Sequence, residues 1–167
     1  MVQLLLKGKP IHTAGVVPAI HTKAPNFTLV DKDLKNHSLQ DFAGKKKVIT
    51  TVPSLDTPTC STMTKHFNMQ AKKQGNVVFI TVSADLPFAQ KRFCEAEDVH
   101  NILTLSTMRG AKEFGTAYGV LIQDGPLAGI LARSVFILDE KDHIVYVEVV
   151  PEITEEPNYH KAMEMLK

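Results

Sequence analysis

Cysteine is scarce in this chain: its 167 residues carry two, Cys60 and Cys94, and no tryptophan. Two are too few for a disulfide scaffold, and they stand too far apart for a C-x-x-C motif. An excess of charge of one sign is also missing. Nineteen Lys and Arg against eighteen Asp and Glu leave a net +1, with no electrostatic footprint for nucleic acid or an anionic membrane. No run approaches the ~18 apolar residues of a membrane span. The N-terminal MVQLLLKGKPIHTAG lacks both the basic segment and the ~7–15-residue apolar core of a secretion signal. A cytoplasmic protein is therefore expected, and structural disulfides are rare there. The seven histidines show no H-x-x-x-H or H-x-x-E-H spacing, and no glycine-rich phosphate loop occurs. No metal or organic cofactor is expected.

With 44% hydrophobic and 22% charged residues, the composition fits one compact domain over 1–167 with a substantial core. VQLLLKGKPIHTAG reads as a hairpin turning at Lys7-Gly8-Lys9-Pro10. NFTLVDKDLKNHSLQDF alternates weakly, with a turn at Asp31 to Asp33. KVITTV is a β-branched strand, and CSTMTKHFNMQAKKQ a helix closed by Gly75. NVVFITVSA has the continuous apolar character of a strand covered on both faces. LPFAQKRFCEAED is again helical, ILTLS a strand and RGAKEFGTAY a short helix. RSVFILDEKDHIVYVEVV forms a hairpin around Glu140-Lys141-Asp142, and EEPNYHKAMEMLK a closing helix. A βαβ half joined to a ββα half predicts a thioredoxin-like α/β fold, a mixed sheet flanked by helices, with an N-terminal β-hairpin. Lys45, Lys46 and Lys47 read as a solvated strand start rather than a binding patch.

PSLDTPTC, residues 53–60, crowds two prolines and two threonines around Cys60. Thr57 suits an N-cap and Pro58 the first helical position, which makes Cys60 the third. Amides of that turn have no intrahelical partner and carry the positive end of the helix dipole, which stabilises a thiolate. Cys60, Met63, Phe67 and Ala71 share an apolar stripe, so desolvation opposes the dipole and a reactive thiolate needs a further partner. The Thr57 hydroxyl can supply a hydrogen bond and Pro53 can shield the pocket, but neither is charged. The corner alone supports a buried structural cysteine and a reactive one equally.

In SADLPFAQKRFC, Asp85 can cap the helix and Pro87 fits its first turn. The predicted stripe is Ala89, Phe93 and Ala96, leaving Cys94 on the polar side with Gln90, Lys91, Glu97 and Asp98. Such an accessible thiol could resolve an oxidised Cys60. Successive βα helices usually lie farther apart than the roughly 4.4–6.8 Å between Cα atoms that a disulfide requires, so pairing needs one or both helix starts to unwind. In AGILARSVFILD, Arg133 would share a strand face with Val135 and Ile137. On these residues alone an arginine at the strand edge reaching solvent is favoured; the alternative makes Arg133 the missing charge beside Cys60.

The form Pro-x-x-x-Thr-x-x-Cys in PSLDTPTC resembles the peroxiredoxins. Together with SADLPFAQKRFC, DGPLAGILARSVFILDE and EITEEPNYHKAMEMLK, the chain is similar throughout to the bacterial thiol peroxidase subgroup of atypical 2-Cys peroxiredoxins. The resemblance implies that Cys60 is the peroxidatic cysteine and Cys94 the resolving one in the same subunit. It places Pro53, Thr57 and Arg133 around the sulfur and bound peroxide. It further implies a homodimer that prefers alkyl hydroperoxides and is recycled by thioredoxin. Rival readings are a redox sensor switching by the same cysteines without turnover, and a protein-disulfide oxidoreductase, which the lack of C-x-x-C disfavours.

Overall fold

The computed structural model describes residues 1–167. A hairpin comes first, with β1 at Gln3–Leu6 and β2 at Lys9–Ala14. Lys7 and Gly8 join them, both at positive φ (50° and 78°), the conformation of a two-residue hairpin loop. There follow β3 (Leu29–Asp31), β4 (Asn36–His37), a 3-10 turn (Leu39–Phe42) and β5 (Lys46–Thr51). Next come α1 (Pro58–Lys73), β6 (Val77–Ser83), α2 (Pro87–Ala96), β7 (Leu103–Ser106) and α3 (Ala111–Ala117). The chain closes with β8 (Leu121–Ile122), β9 (Ser134–Leu138), β10 (Ile144–Val149) and α4 (Tyr159–Glu164).

Seven strands form the main sheet in the order β10-β9-β5-β6-β7-β3-β4. Pairing is parallel for β5–β6 and β6–β7 and antiparallel elsewhere. The mixed, helix-flanked sheet and the N-terminal hairpin agree with the expectation from the sequence. A second sheet, β1-β2-β8, was not foreseen, because GVLI is too short to carry a strand signal of its own.

Strand alternation divides the core in two. Val48 pairs with Phe79 and with Ile137, and these residues face α1, α2 and α4 through Met63, Phe67, Phe93, Ala162 and Leu166. Ile49 pairs with Ile80 and Phe136 and faces the other way, toward Leu4, Ile11, Phe114 and Tyr118. Both cysteines lie in the first of these layers. α4 seals it by stacking Tyr159 on His66, with ring centroids 3.7 Å apart.

The lysine run is not wholly solvated. Lys47 is fully buried and paired with Asp142 in the β9–β10 turn, whereas Lys45 is exposed. β5 pairs on both edges, so alternate residues of this central strand point into a packed layer even at its first turn of polar sequence. Removing one charge of such a pair strands the other, which costs more than removing both. Asp142→Asn keeps a residue tolerant of the positive φ found there and is expected to lower unfolding stability by about 3 kcal/mol. Chemical denaturation of this variant and of Lys47→Met/Asp142→Asn checks it, the double variant recovering most of the loss.

Candidate active site

β5 delivers the chain to the corner at 53–57, and Cys60 follows as the third residue of α1. Thr57 is extended (φ −92°, ψ 148°) and Pro58 occupies the first helical position, as the sequence predicts. The intrahelical ladder starts with Ser61 N–H donating to the Thr57 carbonyl at 2.9 Å. The amides of Thr59 and Cys60 thus precede the ladder, at the positive end of the helix dipole. Thr57 does not cap through its side chain. Its exposed hydroxyl donates to the Ser54 carbonyl at 3.0 Å instead of bonding the sulfur or the first-turn amides. Three-residue turns offer a hydroxyl this nearer acceptor. Pro53 is buried.

Cys60 is fully buried among Val52, Leu55, Met63 and Phe67. Arg133, just before β9, is buried to the same degree and faces α1 as alternation with Val135 and Ile137 requires. It does not reach solvent, contrary to the edge arginine favoured on its residues alone. Its Nη1 donates to Cys60 Sγ at 3.4 Å and lies 3.7 Å from Met63 Sδ. Nε and Nη2 both donate to the Ile153 carbonyl, at 3.1 and 2.8 Å. No carboxylate makes an ion pair with this guanidinium. A buried cation without an acidic partner is costly, and besides the Ile153 carbonyl the groups it meets are the sulfurs of Cys60 and Met63.

Ile153 escaped the sequence reading, since a backbone carbonyl leaves no residue-type signal. Its segment is strapped down: Ile153 N–H donates to Leu5 O at 2.9 Å, and Leu5 N–H to Pro151 O at 2.7 Å. The Glu152 carboxylate accepts the Lys7 amide at 2.7 Å, and Thr59 Oγ1 donates to Thr154 O at 3.2 Å. Outside this strap, Pro58, Thr59, Thr62, Thr154, Glu155 and Glu156 line a cleft of about 380 Å³. No group of three or more His, Cys, Asp or Glu side chains converges as a metal-ligand set.

Cys94 is where the sequence misleads. It is 2% exposed rather than accessible, and the inward face of α2 is Pro87, Gln90, Phe93 and Cys94, while Ala96 is exposed. Gln90 explains the rotation. Its amide is buried because it donates to Ser83 Oγ and Leu105 O, each at 3.0 Å. The cap also moves: Leu86 is the N-cap, and Asp85 turns back to bond Ser54 and Leu55. Both thiols are free. Cys94 Sγ has Thr104 Oγ1 3.9 Å away, and burial pushes its thiol up from the ordinary value.

A Redoxin family model matches residues 19–163. The chain belongs to the Redoxin family. It is 46% identical over 167 residues to a thiol peroxidase of Listeria innocua, covering 100% of this chain and 99% of that one. A thiol peroxidase of Leptospira interrogans is 47% identical over 165 residues, 98% and 96% of the two chains. Among solved structures, a peroxiredoxin-like protein of Aquifex aeolicus superposes with a TM-score of 0.92 at 44% identity, covering 98% of this chain and 95% of that one. Reduced Prx3 of Vibrio vulnificus in complex with H₂O₂ gives 0.75 at 27%, covering 90% and 100%. This redoxin is accordingly an enzyme of the thiol peroxidase kind, with the peroxiredoxin fold that its sequence resembles.

The burial of Cys94 sets a measurable contrast. A raised thiol holds less thiolate at a given pH, and only the thiolate is alkylated. At pH 8, Cys94 of the folded, reduced protein is expected to react with iodoacetamide at least about tenfold more slowly than a free cysteine. The rate should return to that of a free cysteine in denaturant. Timed alkylation with peptide mapping checks it.

Proposed function

We propose that Cys60 is the peroxidatic nucleophile of this thiol peroxidase and Cys94 its resolving partner in the same subunit. The observation that carries the reading is the buried Arg133 guanidinium, without a carboxylate partner, against Cys60 Sγ at 3.4 Å. The Cys60 thiolate attacks the O–O bond of ROOH; the departing alkoxide takes a proton and leaves as ROH, and sulfur becomes the sulfenic acid. Arg133 and the first-turn amides stabilise the charge passing between the oxygens. Thr57 at the rim and the buried Pro53 complete the approach to the sulfur. Cys94–SH then condenses with Cys60–SOH, forming the S–S bond and releasing water. Thioredoxin, as a dithiol, reduces that disulfide by exchange and is itself oxidised. The apolar surroundings of Cys60, namely Val52, Leu55, Met63 and Phe67, support an organic hydroperoxide in preference to hydrogen peroxide. On this reading, residues 1–167 act as one peroxiredoxin domain, in a cytoplasmic homodimer.

Cys60 lies in the first turn of α1 and the buried Cys94 in the last turn of α2, so on this reading local unwinding at one of these helix ends brings their Cα atoms within the roughly 4.4–6.8 Å of a disulfide. One equivalent of cumene hydroperoxide, followed by alkylation and peptide mapping, tests the cycle. A Cys60–Cys94 linkage within one chain is expected, and two free thiols would sink it. Cys60→Ser is expected to lose all peroxide turnover. Cys94→Ser should consume one equivalent and stop; continued cycling with thioredoxin would remove Cys94 from the mechanism.

A further inference from the structure

We propose that Asp85 is a positioning residue, a clasp that holds the Cys60 corner to the start of the Cys94 helix and so sets how fast the two sulfurs meet. The inference rests on the peroxidase reading above. Asp85 Oδ1 accepts the Ser54 hydroxyl at 2.7 Å, and Oδ2 accepts the Leu55 amide at 2.8 Å and the Ser83 hydroxyl at 2.7 Å. Three donors converge on one carboxylate, and none of them is a cation. Hydrogen bonds to a charged acceptor are the strong kind, so this is the firmest tie across the gap.

Each side of the clasp leads to a sulfur. On one side the Ser54 carbonyl accepts both the amide and the hydroxyl of Thr57, the residue from which α1 and Cys60 begin. On the other, Ser83 Oγ accepts the Gln90 amide, one turn before Cys94 on the inward face of α2. The Asp85 carbonyl also accepts the Ser106 hydroxyl at 2.6 Å, which fixes the β6–α2 corner to β7. Asn68 of α1 accepts the Asn101 amide beyond the C-terminal end of α2 at 2.8 Å, and two ion pairs cross as well, Arg92–Asp56 and Lys65–Glu97. The two ion pairs are solvent-exposed and contribute little. Moving the corner before α1, or the Gln90 face of α2 that carries Cys94 one turn on, therefore means releasing Asp85.

The consequence is a partition. Cys60–SOH either condenses with Cys94–SH, giving the disulfide and water, or meets a second hydroperoxide. In the second case Cys60–SOH and ROOH give the sulfinic acid Cys60–SO₂H and ROH. A firm clasp delays Cys94 and so leaves time for the second oxidation.

The test follows sulfinic acid formation by intact mass as cumene hydroperoxide is raised, with thioredoxin and its reductase present. Asp85→Asn is expected to raise the peroxide level that half-converts Cys60 to the sulfinic acid by about tenfold, a shift of about 1.4 kcal/mol in the competing barriers. Ser54→Ala, which cuts one arm and leaves the carboxylate in place, should shift it in the same direction by less. It carries the test if Asp85→Asn fails to fold. In a Cys94→Ser background the Asp85 effect should vanish, because nothing remains for the clasp to delay. An unchanged or lowered half-point, or an Asp85 effect that persists without Cys94, overturns the proposal. If wild-type protein forms no Cys60–Cys94 disulfide, the peroxidase reading fails and the clasp falls with it. If wild type forms the disulfide and both variants over-oxidise as it does, the clasp alone falls.

Discussion

Taking a guanidinium out of water without giving it a carboxylate is among the more expensive things a fold can do. Here Arg133 is 2% exposed, and the groups that meet it are the Ile153 carbonyl, Met63 sulfur and Cys60 sulfur. Two donors on one carbonyl fix the plane of the fork, so the third is aimed rather than free to wander. Everything around it serves that aim. The strap at 150–156 is tied to β1 by main-chain bonds, so the N-terminal hairpin, far from the sulfur in sequence, holds the carbonyl that holds the arginine. From the other side, α1 brings the sulfur and two free first-turn amides. On the proposed cycle the sulfur reacts as the thiolate, and a thiolate here without the cation would be a buried lone charge.

The sheet supplies the rigidity this pairing needs. β5 is hydrogen-bonded on both edges and buried on both faces, and the corner that carries Cys60 leaves from its C-terminal end beside the end of β6. That is the usual place for a site in a sheet with parallel central strands. Larger hollows exist, such as the one of about 690 Å³ lined by Lys45, Lys46 and Gln74. It lies at the opposite ends of those strands, away from either sulfur.

Much of this was legible in the residues. Pro58 after Thr57 fixed the register of Cys60, because proline has one natural place in a helix. Two-residue alternation set Arg133 on the face of Val135 and Ile137 without showing that this face is buried there, so an edge arginine was favoured, while periodicity placed the helices and strands in order. What failed had a common cause: polar side chains buried through partners distant in sequence. Gln90 looked like a surface residue, and its bonds to Ser83 and Leu105 turned α2 so that Cys94 went inside. Lys47 looked solvated until Asp142 met it. Asp85 looked like a cap, and it instead bonded across to the loop at Ser54. Local pattern assigns polar residues to water by default, and only the tertiary fold reveals which have been satisfied elsewhere.

The pairing of Arg133 with Cys60 is tested most directly by a single oxidation. In a Cys94→Ser background, where on the proposed cycle the sulfenic acid is not resolved, the rate at which one equivalent of cumene hydroperoxide oxidises Cys60 would be compared with and without Arg133→Gln. Loss of the cation should slow that step by about 100-fold or more, the scale of removing a preorganised charge-stabilising donor. A rate within about threefold of the parent, well inside one decade, would contradict the account, leaving Arg133 as packing and the reactivity of Cys60 without its cause.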